Sequence, residues 1–373
     1  MKISKTTLAC SLIFSALFAM GADEDRSYVS DFVGKSVTLS MKDASGKINT
    51  VTLKSARPSE LVFADASGGG EFTVPTNNVS SKFAYSQVDD LNRSLLAYNR
   101  GELDLAIAGL RPYIYPLIGM LVLPESSFYQ FNETLELFVR SLIKSGRVKE
   151  ASALVKVLPL TNANIETQRR AIEIGKVLVS KGDAKSAIDI LNRIPLTEEY
   201  IDIYPEVMEF AAAIRKLGVT QDIQRFYAQL GNAENNPMKS TCQLWAIYCE
   251  IMRGSLTSAK LSLGTLKGAY KRTDKEFPLY KMVDGIRAIK EKNYPEALDS
   301  FAEGIVFAKA SDVCLPELLY NTACAYKHEK NITAANEIFR QISMLYPDDP
   351  LAAISLKEIV KEEKKDTEED SQG

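Results

Sequence analysis

The sequence predicts a mainly α-helical chain: a solenoid of about seven helical hairpins preceded by a small all-β domain. Three observations point there. Residues 28–85 pattern as short strands, the apolar spacing turns helical from about Val88, and chain-reversing residues then recur at nearly constant intervals. The expected partition is an export signal over 1–21, a small β-barrel or sandwich over 22–86, a repeat array over 87–347, and a capping helix with a charged disordered tail over 348–373.

Composition sets the outer limits. The chain has 373 residues, with 46% hydrophobic and 25% charged residues, which is ordinary globular usage and argues against bulk disorder or a multi-span membrane protein. Lys and Arg number 45 against 48 Asp and Glu, a net charge of −3, so nothing global draws the chain to nucleic acid. The one histidine, His328, removes most histidine-based metal sites and catalytic triads.

At the N-terminus, Lys2 and Lys5 precede an apolar run from Leu8 to Met20, followed by Gly21, Ala22 and the charged stretch Asp23 to Arg26. That order is the mark of a secretory signal cleaved after Gly21 or Ala22. A run this short does not cross a hydrocarbon core of roughly 30 Å as a helix. Cys10 lies inside the run, with more apolar sequence after it, so it does not read as a lipidation site. The nearest later candidate for a span, Ile114 to Pro124, is short and broken by Pro116. The expected compartment is a bacterial periplasm or cell envelope, or the secreted fraction. Four N-x-Ser/Thr sequons, at Asn78, Asn92, Asn132 and Asn331, decide nothing about it.

Strands are expected at Val37–Met41, Asn49–Leu53, Leu61–Phe63 and Glu71–Val74, separated by turns at Asp43–Gly46, Arg57–Ser59 and Ser67–Gly70. In length and meander-like order this region resembles the small SH3-like barrels, which implies a docking or folding module rather than a catalytic one.

In the helical region Gly101, Gly146, Gly182, Gly218 and Gly254 stand 45, 36, 36 and 36 residues apart. Two further steps of 38 reach Lys292-Asn293 and Lys330-Asn331, where the asparagines are expected to take the left-handed conformation that ends a helix. Five residues after each marker stand Ala106, Ala151, Ala187, Ile223, Ala259, Ala297 and Ala335. Four further on stand Leu110, Val155, Leu191, Tyr227, Leu263, Phe301 and Phe339. A small residue lets two helices approach after a tight turn, and the large residue one turn later fills the space beneath them.

On these residues the array resembles the tetratricopeptide repeats. Gly285, Ala297 and Phe301 occupy the family's signature places in one unit, and Tyr326, Ala335, Phe339 and Pro347 do so in the next. Gly175, Ala187 and Leu191 match in the third unit, while Ile223 and the long spacings depart from the pattern. The resemblance covers residues 88–347 and implies a stacked solenoid that binds protein partners. The apolar connector Arg111 to Pro124 is expected to pack between domains. After Pro347, Asp348 or Asp349 can cap a helix begun by Pro350, whose Leu351, Ile354, Ile359 and Val360 would close the open end.

No phosphate loop, HExxH, GxSxG, EF-hand or CxxC motif is present, so no catalytic, cofactor or metal residue is expected. Gly68 to Gly70 reads as a turn, and His328 as a surface residue at a helix end. Cys242 and Cys249 lie two turns apart on one helix, too far for a mutual disulfide, whereas bridges from Cys314 or Cys324 and ordinary buried thiols fit equally well. The resemblance further implies that first helices line the concave surface. Helical spacing then places Arg140, Lys144, Arg169, Lys176, Arg215 and Lys216 in a cationic middle, and Tyr248, Met252, Met282, Lys290, Tyr320 and Lys327 at an aromatic and Met-rich end. Such a groove suits an acidic extended peptide. The competing reading is that these are solvated helix cations. The expected function is an exported non-catalytic scaffold for a protein or peptide partner in the cell envelope. The alternatives are a self-associating structural subunit and, behind that, a cell-wall-acting enzyme.

Overall fold

The computed structural model describes residues 28–369, apart from Ser30, Val33, Gly34 and Asn78. The expected signal over 1–21 and its cleavage site lie outside the described residues, as does the Asn78 sequon. The chain is mainly α-helical, with 15 α-helices among the described residues behind an antiparallel sheet of five strands. Packing divides it at Gly218 into two compact units.

The first unit begins with β1 (Thr38–Lys42), β2 (Ile48–Arg57), β3 (Glu60–Asp65), β4 (Glu71–Pro75) and β5 (Lys82–Tyr85), in the order β4-β3-β2-β1-β5. All four named strands are present, β1 shifted by one residue and the other three extended by a residue or more, and β5 is the fifth of the four or five the patterning allowed. The turns form where Asp and Gly place them. In the first, the Asp43 carboxylate accepts from the Ser45 and Lys47 amides at 2.9 and 3.0 Å while Gly46 takes φ 88°. Side chains alternate across the pleat, and Leu39, Met41, Val51, Leu61, Phe63, Val74, Phe83 and Tyr85 are buried.

The helices of this unit are α1 (Asp89–Asn99), α2 (Leu103–Ile114), α3 (Tyr129–Lys144), α4 (Val148–Val157), α5 (Ile165–Ser180), α6 (Ala184–Arg193) and α7 (Tyr204–Leu217). After α2 the connector continues as a 3-10 segment, Tyr115–Val122, pressed onto β2. A Cβ on Gly119 would fall 2.2 Å from the Ala56 Cβ, so only glycine allows this approach. Phe128 then wedges its ring between Phe83, Tyr85 and Phe131, at centroid distances of 6.3, 5.1 and 5.4 Å. Sheet and first helices therefore share one core. Leu103–Val122 is long and apolar enough, by length and composition, to cross a membrane, and half of it is buried in this core. The unit also holds a buried ion pair: Arg111 on α2 makes two bonds of 2.7 Å to Glu150 on α4, a carboxylate only 1% exposed.

The second unit comprises α8 (Gln221–Asn232), α9 (Lys239–Met252), α10 (Leu256–Thr265), α11 (Phe277–Lys290), α12 (Tyr294–Phe307), α13 (Leu315–His328), α14 (Ile332–Leu345) and α15 (Pro350–Glu369). Its consecutive helices pack on one another. Arg287, buried on α11, pairs with Asp284 of its own helix at 2.9 Å and ties that helix to α12 through Glu296 at 2.5 Å.

The chain reversals repeat one geometry. Gly101, Gly146, Gly182 and Gly254 take φ of 77°, 71°, 79° and 89°, and Lys292 and Lys330 both take 62°. At each, the next residue's amide bonds back to the carbonyl five positions earlier, as in Glu102 to Ala97, Asp183 to Leu178 and Asn293 to Ala288, all at 2.9 Å. These are six Schellman closures. The left-handed residue in the last two is lysine, not the asparagine expected. Asn293 and Asn331 instead cap α12 and α14, accepting from the Glu296 and Ala334 amides at 3.4 and 3.2 Å. Gly218 also departs from expectation. Its φ of 163° is extended backbone, and it falls where packing divides the chain. The seven residues five beyond the markers and the seven large ones after them are all buried.

The last helix differs from expectation in two ways. Of its residues up to Ile359, Ala352 and Ser355 are buried together with the expected Ile359, while Ile354 is exposed. It also runs on to Glu369, through residues expected to be disordered, because Lys and Glu are good helix formers.

Candidate functional site

The predicted cations of the first unit lie on α3, α5 and α7, and carboxylates from the same helices engage them. Arg140 pairs with Glu136 at 2.5 Å, Arg169 with Glu166 at 2.5 Å and Glu206 at 3.2 Å, and Lys176 with Glu209 at 3.0 Å. Arg170 joins them, bridging to Glu136 at 2.7 Å. Lys144 is exposed and donates to the Tyr98 hydroxyl at 3.0 Å. Lys216 is exposed, but Arg215 is 3% exposed and lines no open surface. The expected cationic groove is thus a ladder of ion pairs with its charge largely matched in place. An acidic peptide taking Arg140, Arg169 or Lys176 would have to displace a protein carboxylate.

In the second unit, burial removes part of the expected aromatic and Met-rich end. Met282 is fully buried, and Tyr248 is buried with its hydroxyl donating to Glu317 at 2.5 Å. Both lie on the side of their helix that meets its neighbours. Tyr320 is half-buried against Phe339, and burial pushes its hydroxyl pKa up to about 12. Lys327 pairs with Glu358 at 3.0 Å. Met252 and Lys290 are exposed.

Sequence reasoning missed the carboxylates, although their signal was present. Glu136 stands four residues before Arg140, and Glu166 three and four before Arg169 and Arg170, the spacings at which side chains meet on one helix face. Arg170 stands 34 residues after Glu136 and Glu209 stands 33 after Lys176, close to the repeat interval.

A second surface was not anticipated. Between the lead-in to β1 and the pair α1–α2 lies an open cleft of about 690 Å³, within the size range of ligand sites. Ser94, Ala97 and Gly109 belong to its lining, and Gly109 lets the helices close up, since a Cβ there would fall 2.1 Å from the Ser94 Oγ. Leu96 on α1 and Leu105 on α2 line it while 54% and 64% exposed. Lys35, Arg93 and Arg100 supply positive charge to the lining, and Asp90 and Glu102 supply negative charge. Arg93 pairs with Asp90, whereas no carboxylate of the described residues pairs with Lys35 or Arg100.

The four described cysteines are not bridged to one another. Cys242, Cys249 and Cys314 are buried and Cys324 is half-buried, all as thiols. Burial pushes the Cys242 thiol up to about 12, the wrong direction for a nucleophile. His328 is exposed, stacked on Tyr294 with centroids 4.6 Å apart. Among the described residues no group of three or more His, Cys, Asp or Glu side chains is placed to hold a metal ion. No family model and no curated protein matches the chain.

Proposed function

We propose that the chain is an exported, non-catalytic scaffold that holds a protein or peptide partner in the bacterial cell envelope. On this reading its helices form repeats of the tetratricopeptide kind, and its sheet module docks or orients them. One observation carries the reading: six left-handed reversals, each followed five residues later by a fully buried alanine. That device stacks hairpins, and stacked hairpins expose long helix surfaces suited to partners rather than a single catalytic centre. The late units add support. A Cβ on Gly285 would fall 2.3 Å from the Phe301 ring, a close approach of the kind the family's glycine serves.

The test is capture with the tagged mature chain from envelope extracts of its own cell, followed by rebinding of the purified candidate. A stoichiometric complex is expected. Turnover of cell-wall glycan or peptide by the purified chain, with no partner retained, would overturn the reading.

A specific observation favours a second reading, self-association. Val306 on α12 and Met344 on α14 stand 38 residues apart at equivalent repeat positions and are 73% and 79% exposed. Light scattering that rises with concentration, and is abolished by Val306→Glu with Met344→Glu, would select it.

A further inference from the structure

The cleft beside β1 joins three features that one kind of ligand satisfies together. Its two large apolar side chains, Leu96 and Leu105, come from neighbouring helices and remain exposed. Lys35 and Arg100 stand in the same lining without a carboxylate partner, in contrast to the matched cations of α3, α5 and α7. Third, the chain enters the cleft at Ser36 and Val37 before the sheet pairing begins. Thr38 is the first residue paired to β2, and among the described residues no backbone hydrogen bond engages Ser36 or Val37. The Thr38 carbonyl accepts from the Ser86 amide on the β5 side, so strand alternation turns the peptide groups of Val37 toward β2 and leaves those of Ser36 open on the β5 side.

We propose that this cleft takes an extended segment of a partner protein, with acidic side chains flanking a large apolar one. The segment's main chain would run beside Ser36, its apolar side chain would sit between Leu96 and Leu105, and its carboxylates would meet Lys35 and Arg100. A lipid headgroup or inorganic phosphate would use the cations but leave the Ser36 peptide groups unmatched. The inference rests on the scaffold reading and narrows it to one surface and one partner chemistry.

The test pans a phage-displayed random octapeptide library over the full chain, counter-selected on a Leu96→Ala/Leu105→Ala variant. Enriched peptides are then synthesised and titrated by fluorescence anisotropy. All four changed side chains lie at an open cleft, and circular dichroism checks that each variant keeps its fold. The expected peptides combine Asp or Glu with Leu, Ile or Phe. Lys35→Glu/Arg100→Glu should weaken them by about tenfold or more, the scale of one charge-assisted contact, and shift selection to basic peptides. N-methylation of the peptide backbone should weaken them as well.

Enrichment of the same peptides on the leucine variant, or a preference of the natural chain for basic peptides, would overturn the proposal. So would binding to vesicles of phosphatidylglycerol in phosphatidylcholine that Lys35→Glu/Arg100→Glu abolishes while no peptide is enriched. If a natural partner is captured equally by the natural chain and the charge variant, the cleft assignment fails and the scaffold stands. If peptides bind the cleft but no partner is captured, the scaffold reading fails alone.

Discussion

Replacing the repeat glycines by alanine, one at a time, separates backbone conformation from packing. At Gly101, Gly146, Gly182 and Gly254 the backbone is left-handed, with φ between 71° and 89°. A Cβ built at any of the four meets nothing within 4 Å, so no steric term enters. What remains is the cost of holding an L-residue left-handed, about 1–2 kcal/mol, offset in part by the smaller entropy alanine loses on folding. Each substitution should destabilise its unit by roughly 1 kcal/mol. Gly218 provides the internal control. It too has open space at its Cβ, but its φ of 163° suits any residue, so Gly218→Ala should be neutral or stabilising by about 0.4–1 kcal/mol.

Lys292 and Lys330, at φ 62°, supply the converse. Changing either to glycine removes the strain and should leave stability unchanged or raised by a few tenths of a kcal/mol, roughly. The assay is urea denaturation at constant m-value, with hydrogen exchange locating the change in the altered unit. The reasoning is refuted if Gly182→Ala and Gly218→Ala cost the same, or if Lys292→Gly costs as much as Gly182→Ala.

Other substitutions test the packing. Gly285→Ala drives a methyl into the Phe301 ring, 2.3 Å away, and should cost about 1–3 kcal/mol in urea, partly recovered in combination with Phe301→Leu. Arg111→Ala leaves Glu150 buried with Arg147 at 3.6 Å as its remaining cation and the Tyr115 hydroxyl donating to it at 3.4 Å, and should cost about 3 kcal/mol in urea denaturation. Arg169→Ala and Lys176→Ala, by contrast, open pairs that are partly exposed and should each cost under about 1 kcal/mol, less in high salt. Cys242 has its thiol raised from 9.0 to about 12, so the unfolded chain loses that proton first as pH rises. Its contribution to stability is therefore complete below about pH 9 and declines by up to about 1.4 kcal/mol per pH unit between the two values. Cys242→Ala should flatten that alkaline slope in pH-dependent denaturation.

The fold was legible where one residue type has one physical use. Left-handed reversals call for glycine, so the four glycines among the six closures declared their positions. The two lysine closures were found only by continuing the interval, and there the asparagine was misplaced by one residue. An asparagine beside a reversal can end one helix or cap the next, and only the register of hydrogen bonds decides between them. Gly218 misled for a related reason. Glycine permits the left-handed region without requiring it. The strands were readable from period-two patterning.

The candidate surfaces were less legible, and the reason is electrostatic. Placing Arg140, Arg169 and Lys176 on one face by helical spacing says that positive charge is present there, not that it is available. Availability depends on what neighbouring helices bring up, and the repeat that aligns cations also aligns Glu136, Glu206 and Glu209 with them. A period near 35 residues sets acid against base on neighbouring helices as readily as base beside base. A ladder of partly exposed pairs adds little stability and holds little charge in reserve for a ligand. Arg100, at the end of α1, and Lys35, on the segment before β1, have no carboxylate partner among the described residues, and α1 has no earlier helix of the array to supply one. Leu96 and Leu105 stand exposed in the same lining.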